Sequence, residues 1–444
     1  MLTWLGFGMV VSFMTLIMIK RMSPLVALIL VPLAFGLLGG FGTQLDEMVL
    51  DGIKNIAPTG IMLVFAIMYF GVMIDAGLFD PLVRLVLRLV GGDPLKVVVG
   101  TAILAMIISL DGDGSTTYMI TVSAMLPLYH RLRINVLRLT CVTILAGGVM
   151  NLTPWGGPAA RAASALQVDV IDLFLPMLPA IGAALIAVVL LAWWLGLCER
   201  RRVGMLVWGR GGPAGDLNEG DTILPTLDTH EELRRPRLIW FNAALTVLLM
   251  VSLLMGVLPL PVLFMIGFAV AVTLNYPQLA LQRQRVASYA SNVLPVVSVI
   301  FAAGIFAGVL SGSGMVEAMA NDMLALIPKS MGPHLAVITG LLSIPLTFFI
   351  SNDAFYYGVL PVLAEGAAAY GISAEEMARA SLIGQPVHLL SPLVPSTYLL
   401  VGLAGVDFAE HQRFTLKWAA LIALVLLAAG LAFAVFPLTG MSTP

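Results

Sequence analysis

The chain has 444 residues, of which 59% are hydrophobic and only 11% charged, and its mean hydropathy is +1.00. Ordinary soluble domains carry roughly a quarter charged residues, so a water-soluble fold is excluded. The apolar runs are continuous rather than alternating, which excludes a β-barrel and predicts an all-α polytopic membrane protein. A net charge of −2 gives no basis for nucleic-acid binding, and Cys141 and Cys198, the two cysteines, build no disulfide framework.

Apolar runs long enough to cross about 30 Å of hydrocarbon recur along the chain. The first spans are expected near residues 2–20, 24–40 and 58–78. The first run starts at Leu2 without a basic leader and meets no small-residue cleavage site before Lys20 and Arg21, so it reads as a retained helix. "FDPLVRLVLRLV" (79–90) places Arg84 and Arg88 on one face and suits the membrane interface better than a crossing.

Next comes "ILAMIISLDGDGSTTYMITVSAMLPLY", in which Asp111 and Asp113 interrupt an otherwise apolar or hydroxylic stretch. An EF-hand loop is excluded because its sixth and twelfth positions would be Thr116 and Val122. In a single crossing helix these acids would sit deep in the bilayer at a cost of several kcal/mol. A re-entrant hairpin, with limbs 97–110 and 115–129 and "DGDG" at its tip, places them where irregular backbone faces protein or water. Spans at 136–160 and 171–197 follow, and a polar linker fills 200–236 with "GRGGPAGDLNEGD" and "HEELRRPR".

The pattern then begins again, with spans near 238–256, 259–280, 290–312, 334–366, 376–403 and 414–438. At an offset of 237, "YFGVMIDAGLFD" lies over "FAGVLSGSGMVE"; at 238, "TPWGGP" lies over "SPLVPS" and "VDVID" over "VDFAE". The stretch interrupted by Asp111 and Asp113 then corresponds to "SIPLTFFISNDAFYYGVLPVLAEG", which Ser351, Asn352 and Asp353 interrupt in the same way. The domain reading is therefore 1–199 as a first transmembrane repeat, 200–236 as a cytoplasmic linker, and 237–444 as a second.

Five spans and one hairpin per repeat give an odd number of crossings, so the second repeat is expected to be inverted. That assignment gathers all of the 23 basic residues on one face except Lys54, Arg161, Lys329 and Arg379. By the positive-inside rule that face is cytoplasmic, and both termini are outside.

Two spans contain breaks, "GGVMNLTPWGGPAARAA" (147–163) and "GQPVHLLSPLVPSTYLL" (384–400), where Pro and Gly free backbone groups. Asn151, Thr153, Ser391, Ser396 and Thr397 cluster there, and half-helix ends offer N–H groups to anions and carbonyls to cations. "NLT" matches a glycosylation pattern, but at membrane depth it is no acceptor.

"IAPTGIMLVFAIMYFGVMIDAGLFDPLVRL", "SLDGDGSTTYMITVSAMLPLY", "GGVMNLTPWGGPAARAASALQVDV" and "SNDAFYYGVLPVLAE" resemble the citrate–divalent metal–proton symporter family (CitMHS), in order from Leu2 to about Pro437. The resemblance implies uptake of citrate as a complex with a divalent cation of the Mg2+ or Ca2+ class, driven by protons. It also implies a multi-pass protein of a bacterial-type inner membrane and two inverted repeats, each with a hairpin and an unwound helix. The metal is cargo rather than a resident cofactor. The expected partners are the citrate–metal complex, protons and the lipid bilayer, with a homodimer left open.

The chemistry fits that substrate class. Chelation lowers the charge of citrate and leaves a metal centre able to accept more oxygen ligands. Asp111, Asp113 and Asp353 are candidates to ligate it, or for one of them to carry the coupled proton; capping at a hairpin tip is the plainer role. Ser115, Thr116, Thr117, Asn151, Thr153, Ser351, Asn352, Ser391, Ser396 and Thr397 are the expected substrate-binding groups. Arg161 either binds a carboxylate or snorkels to the interface. His388 is either a proton relay or a packed histidine, and Asp75 reads as structural. Gly147 and Gly148 suit close helix packing. No His/Cys cluster or Ser–His spacing suggests an enzyme. Duplicated broken helices favour alternating access over a channel or receptor, and the runner-up is a proton- or sodium-coupled carrier of gluconate or a dicarboxylate.

Overall fold

The structure, a computed structural model, describes residues 1–19, 21–112, 114–203, 232–255, 257–326 and 330–441. Asp113 and most of the polar linker therefore lie outside the described residues, as does the side chain of Asp111. The described chain is all-helical. Six of its helices are long and apolar enough to cross a membrane.

Local sequence sets the helix ends. The first two helices are α1 (Leu2–Met18) and α2 (Pro24–Leu38); in α2, Pro24 occupies the first turn and the Ser23 side chain accepts from the Val26 N–H. Helix α3 (Leu45–Asp75) starts well before the expected 58. Its first turns carry Asp46, Glu47 and the exposed Asp51–Lys54 ion pair, so this extension is a polar helix end continuous with the apolar span. Helix α4 (Asp80–Val90) is amphipathic as expected, with Val83, Val86 and Val90 buried and Arg84 and Arg88 exposed. Helix α5 (Pro94–Ile108), capped by Asp93, a short 3-10 turn (Ser109–Asp111) and α6 (Gly114–Arg131) occupy the stretch expected to form the first hairpin.

The span expected at 136–160 is divided into α7 (Val136–Met150) and α8 (Gly157–Leu166), and α9 (Val170–Val203) follows. Beyond the linker come α10 (Ile239–Leu254), α11 (Leu260–Asn275), α12 (Leu279–Gly312) and α13 (Met315–Leu326). Helix α14 (Leu335–Phe349) ends at an extended Ile350, and a π-helical turn (Ala354–Val359) leads into α15 (Leu360–Ala368). The span expected at 376–403 is again broken, into α16 (Ala374–Ser381), a 3-10 turn, α17 (Gln385–His388) and α18 (Pro395–Ala404). Helix α19 (Phe408–Ala432) is the last, and the chain after it turns back to bond Pro333 and Tyr370.

Helices α3 and α12 form the densest contact in the molecule, with α11 beside α3 and α2 beside α12. Glycine makes this approach possible. A Cβ on Gly52 would lie 2.0 Å from the Gly304 carbonyl oxygen, and one on Gly308 would lie 2.3 Å from that of Met48. The described end of the linker is tied to this wall. The Arg235 N–H bonds the Ala76 carbonyl at 3.1 Å, its Nε bonds the Asn275 carbonyl at 2.7 Å, and Arg234 pairs with Asp80. Helices α5–α9 and α14–α19 build the facing mass, with α6 against α18 and α7 against α17. Outward side chains such as Ile186, Leu190, Val247 and Leu248 are exposed and apolar, as lipid contact requires.

Candidate functional site

A cavity of about 710 Å3 lies between the α3–α12 wall and the broken helices, within the roughly 300–1,000 Å3 usual for small-ligand sites. Its lining draws on both interrupted stretches and both broken spans: Ser115 and Thr116, Asn151 and Arg161, Ser351 to Asp353, and His388 and Ser396.

The first tip is held by Trp155. Its indole N–H donates to the Leu110 carbonyl at 2.8 Å, and its ring packs on Phe70 and Phe264 with centroids 5.5 and 5.3 Å away. Gly112 adopts a left-handed φ of +77°, and a Cβ there would come within 2.9 Å of the indole. Helix α6 begins beside this turn, so Ser115 and Thr116 sit in its first turn on the cavity. Thr117 points the other way: it is buried and shares a hydrogen bond with Ser109 at 3.1 Å.

The first break presents Asn151, at the end of α7, and then Gly157 and Pro158 at the start of α8. Thr153 is buried behind it and does not line the cavity. In the second break, Val394, Pro395 and Ser396 line the cavity where α18 begins. Ser391 is buried and accepts from the Leu393 N–H, while the Thr397 hydroxyl donates to the Leu389 carbonyl. Thus Ser391 and Thr397 stabilise local backbone and Thr117 pairs with the Ser109 hydroxyl, whereas Ser115, Thr116 and Ser396 face the cavity. The first turns of α6, α8 and α18 converge here, and each brings the partial positive charge of a helix N-terminus.

The second tip carries the charge. Arg161 Nε donates to Asp353 Oδ1 at 2.7 Å, joining α8 to the start of the π-helical turn, with side chains 21% and 13% exposed. Ser351 caps that turn by accepting from the Ala354 N–H at 3.1 Å. Asn352 and Gln385 exchange amide hydrogen bonds of 3.3 and 3.2 Å, and Gln385 also donates to the Tyr356 hydroxyl at 2.8 Å. His388 Nδ1 lies 2.6 Å from the Thr347 carbonyl. A carbonyl only accepts, so Nδ1 carries the proton of that bond.

Several lining residues escaped the sequence reading. Asp75 accepts from the Tyr289 hydroxyl at 2.5 Å and pairs with Arg285 at 3.2 Å, and both Asp75 and Tyr289 line the cavity with Asn292. The signal for Asp75 was an acid at the end of an apolar run. Tyr289 fell just outside the span expected at 290–312, whereas α12 begins at Leu279; Asn292 lay inside that span but was not singled out.

The architecture and the sequence both have counterparts. A family model described as citrate transporter matches residues 13–384. A citrate transporter of Bacillus subtilis (strain 168) is 55% identical over 431 residues, covering 97% of this chain and 98% of that one. A Mg(2+)/citrate complex secondary transporter of the same organism is 50% identical over 432 residues, covering 97% and 98%. Among solved structures, the YdaH transporter of Alcanivorax borkumensis superposes with a TM-score of 0.57 at 16% identity, over 89% of this chain and 90% of that one. That last likeness concerns the fold alone.

Proposed function

The chain belongs to the citrate transporter family, and from that premise we propose that it imports citrate complexed with a divalent metal ion by proton symport across a bacterial inner membrane. The family is one of transporters, not enzymes. The observation that carries the substrate reading is the cavity itself: one guanidinium and three helix N-termini converge with hydroxyls and amides on a space of small-ligand size. Those groups suit carboxylate oxygens. A relative at 50% identity is described as a transporter of the Mg(2+)/citrate complex, which supports a chelated cation of the Mg2+ class as part of the cargo.

The transport cycle follows from two inverted repeats, each with five spans and a hairpin. Element order supports the duplication. Helix α7 (136–150) corresponds at an offset of 238 to 374–388, and α8 (157–166) to α18 (395–404). Pro58 inside α3 and Pro295 inside α12 correspond at 237. Alternating access then moves the hairpins and broken helices against the α3–α12 wall, with the basic loops cytoplasmic and both termini outside.

The test is uptake of labelled citrate into proteoliposomes with Mg2+, with Ca2+ and with EDTA. Uptake with a divalent cation and none in EDTA is expected. Uptake that persists in EDTA, or that follows gluconate or a bare dicarboxylate instead, would overturn the metal-complex reading.

A further inference from the structure

We propose that Asn292, with the oxygens beside it on α12, meets the metal side of the bound complex, so that citrate carrying its cation is accepted and bare citrate is turned away. The inference rests on the citrate–metal reading above and deepens it by naming the groups that set that preference. Tyr289 and Asn292 lie one turn apart on α12, and both line the cavity together with Ser291 and Pro295.

These groups present oxygens rather than protons. The Tyr289 hydroxyl commits its proton to Asp75, 2.5 Å away, which leaves its own oxygen to accept. Pro295 has no N–H, so the Ser291 carbonyl four residues before it lacks its helical donor. The Asn292 side chain is exposed on the cavity and has no hydrogen-bond partner among the described residues. Arg285, about one turn before Tyr289, is paired with Asp75 and does not line the cavity. The described lining from α3 and α12 therefore carries one acid and several neutral oxygens, with no cation among them. That face is complete without Asp111 and Asp113, whose side chains lie outside the described residues.

The broken helices give the rest of the cavity the opposite polarity. Arg161 and the first turns of α6, α8 and α18 offer N–H groups and positive charge. A chelate is polar in the same sense. One end shows carboxylate oxygens, and the other shows a cation that, in the case of Mg2+, keeps several bound waters. With its carboxylates toward Arg161, the complex turns those waters, which donate hydrogen bonds, to Asn292, Tyr289 and the Ser291 carbonyl. Bare citrate in the same place brings a carboxylate against the Tyr289 oxygen, the Ser291 carbonyl and the Asp75 carboxylate. Such repulsion rejects a ligand as surely as a missing contact does.

The test is binding of labelled citrate to purified protein, with Mg2+ and with EDTA, for the wild type, Asn292→Leu and Asn292→Asp. Leucine has a similar size and no polar atom, and is expected to weaken Mg–citrate binding about ten-fold or more. Aspartate keeps the accepting oxygens and loses the amide donor. Its binding of Mg–citrate should stay within about three-fold of the wild type or tighten, while its binding of citrate in EDTA weakens. Asn292→Leu protein that binds Mg–citrate like the wild type overturns the role of Asn292 alone. So does Asn292→Asp protein that loses as much as Asn292→Leu, which is the outcome for an amide that donates to a carboxylate. Wild-type protein that binds no Mg–citrate, or binds citrate equally well in EDTA, overturns the metal-complex reading, and the role of the α12 face with it.

Discussion

Trp155 holds the Leu110 carbonyl at 2.8 Å from a position 45 residues further along the chain, fixing the first tip to the first break. Its ring also closes the space over Gly112, which sits at a φ of +77°. Trp155→Phe keeps the packing and removes a hydrogen bond worth about 1 kcal/mol, so uptake should fall roughly five-fold in normally inserted protein. Gly112→Ala adds both left-handed strain and a methyl group against the indole, and should be the more damaging change. Initial rates of citrate uptake, normalised to protein in the membrane, check both. Equal rates for all three proteins would detach the tip from transport.

The α3–α12 crossing is set by glycine rather than by side-chain fit. Gly308→Leu would push a side chain into the Met48 carbonyl, so the two long helices must separate. We expect its melting temperature in detergent to fall by about 5 °C or more. Gly402→Ala is the control, since nothing lies within 4 Å of the added methyl. A Gly308→Leu protein that melts with the wild type would show that the crossing is not close-packed.

Much of this arrangement was legible in the sequence. Ser351 to Asp353, Asn151 and Ser396 announce themselves as polar groups inside apolar runs, where burial without function is costly, and they do line the cavity. The direction of a hydroxyl was not legible. Ser115 and Thr117 are two residues apart in one helix, and only the presence of Ser109 behind Thr117 decides which of them faces inward. Nor was the partner of Arg161. Its nearest acid in the sequence is Asp169, yet it bonds Asp353, 192 residues away, through a packing of α8 on the π-helical turn that no local pattern encodes. The role read for Asp75 was incomplete for the same reason, because Tyr289 and Arg285 reach it from the other half of the chain.

Sidedness is open to chemical labelling. In protein whose Cys141 and Cys198 are replaced by serine, a cysteine at the exposed Arg283 should be shielded from impermeant thiol reagents in intact cells. One at Met441, 60% exposed near the other end of the chain, should react. The expectation follows from the basic face being cytoplasmic. Labelling at 283 with protection at 441 would invert the assignment.

Asp75 and Arg285 join the two long helices at the cavity edge, with side chains 19% and 10% exposed. Asp75→Asn leaves the Arg285 guanidinium with a neutral partner in a poorly solvated place. Removing one member of a fully buried pair costs about 3–5 kcal/mol, and the partial exposure here reduces that to about 1–3 kcal/mol. Arg285→Gln should cost a similar amount by stranding the carboxylate, although the Tyr289 hydroxyl, 2.5 Å away, still donates to it. If the pair acts as a unit, the double variant should be more stable than the sum of the single losses predicts, because neither charge is left alone. Thermal denaturation of the four proteins closes the cycle. Simple additivity would mean that the two charges are solvated independently, and that the α3–α12 wall is held at this end by packing and by Tyr289 instead.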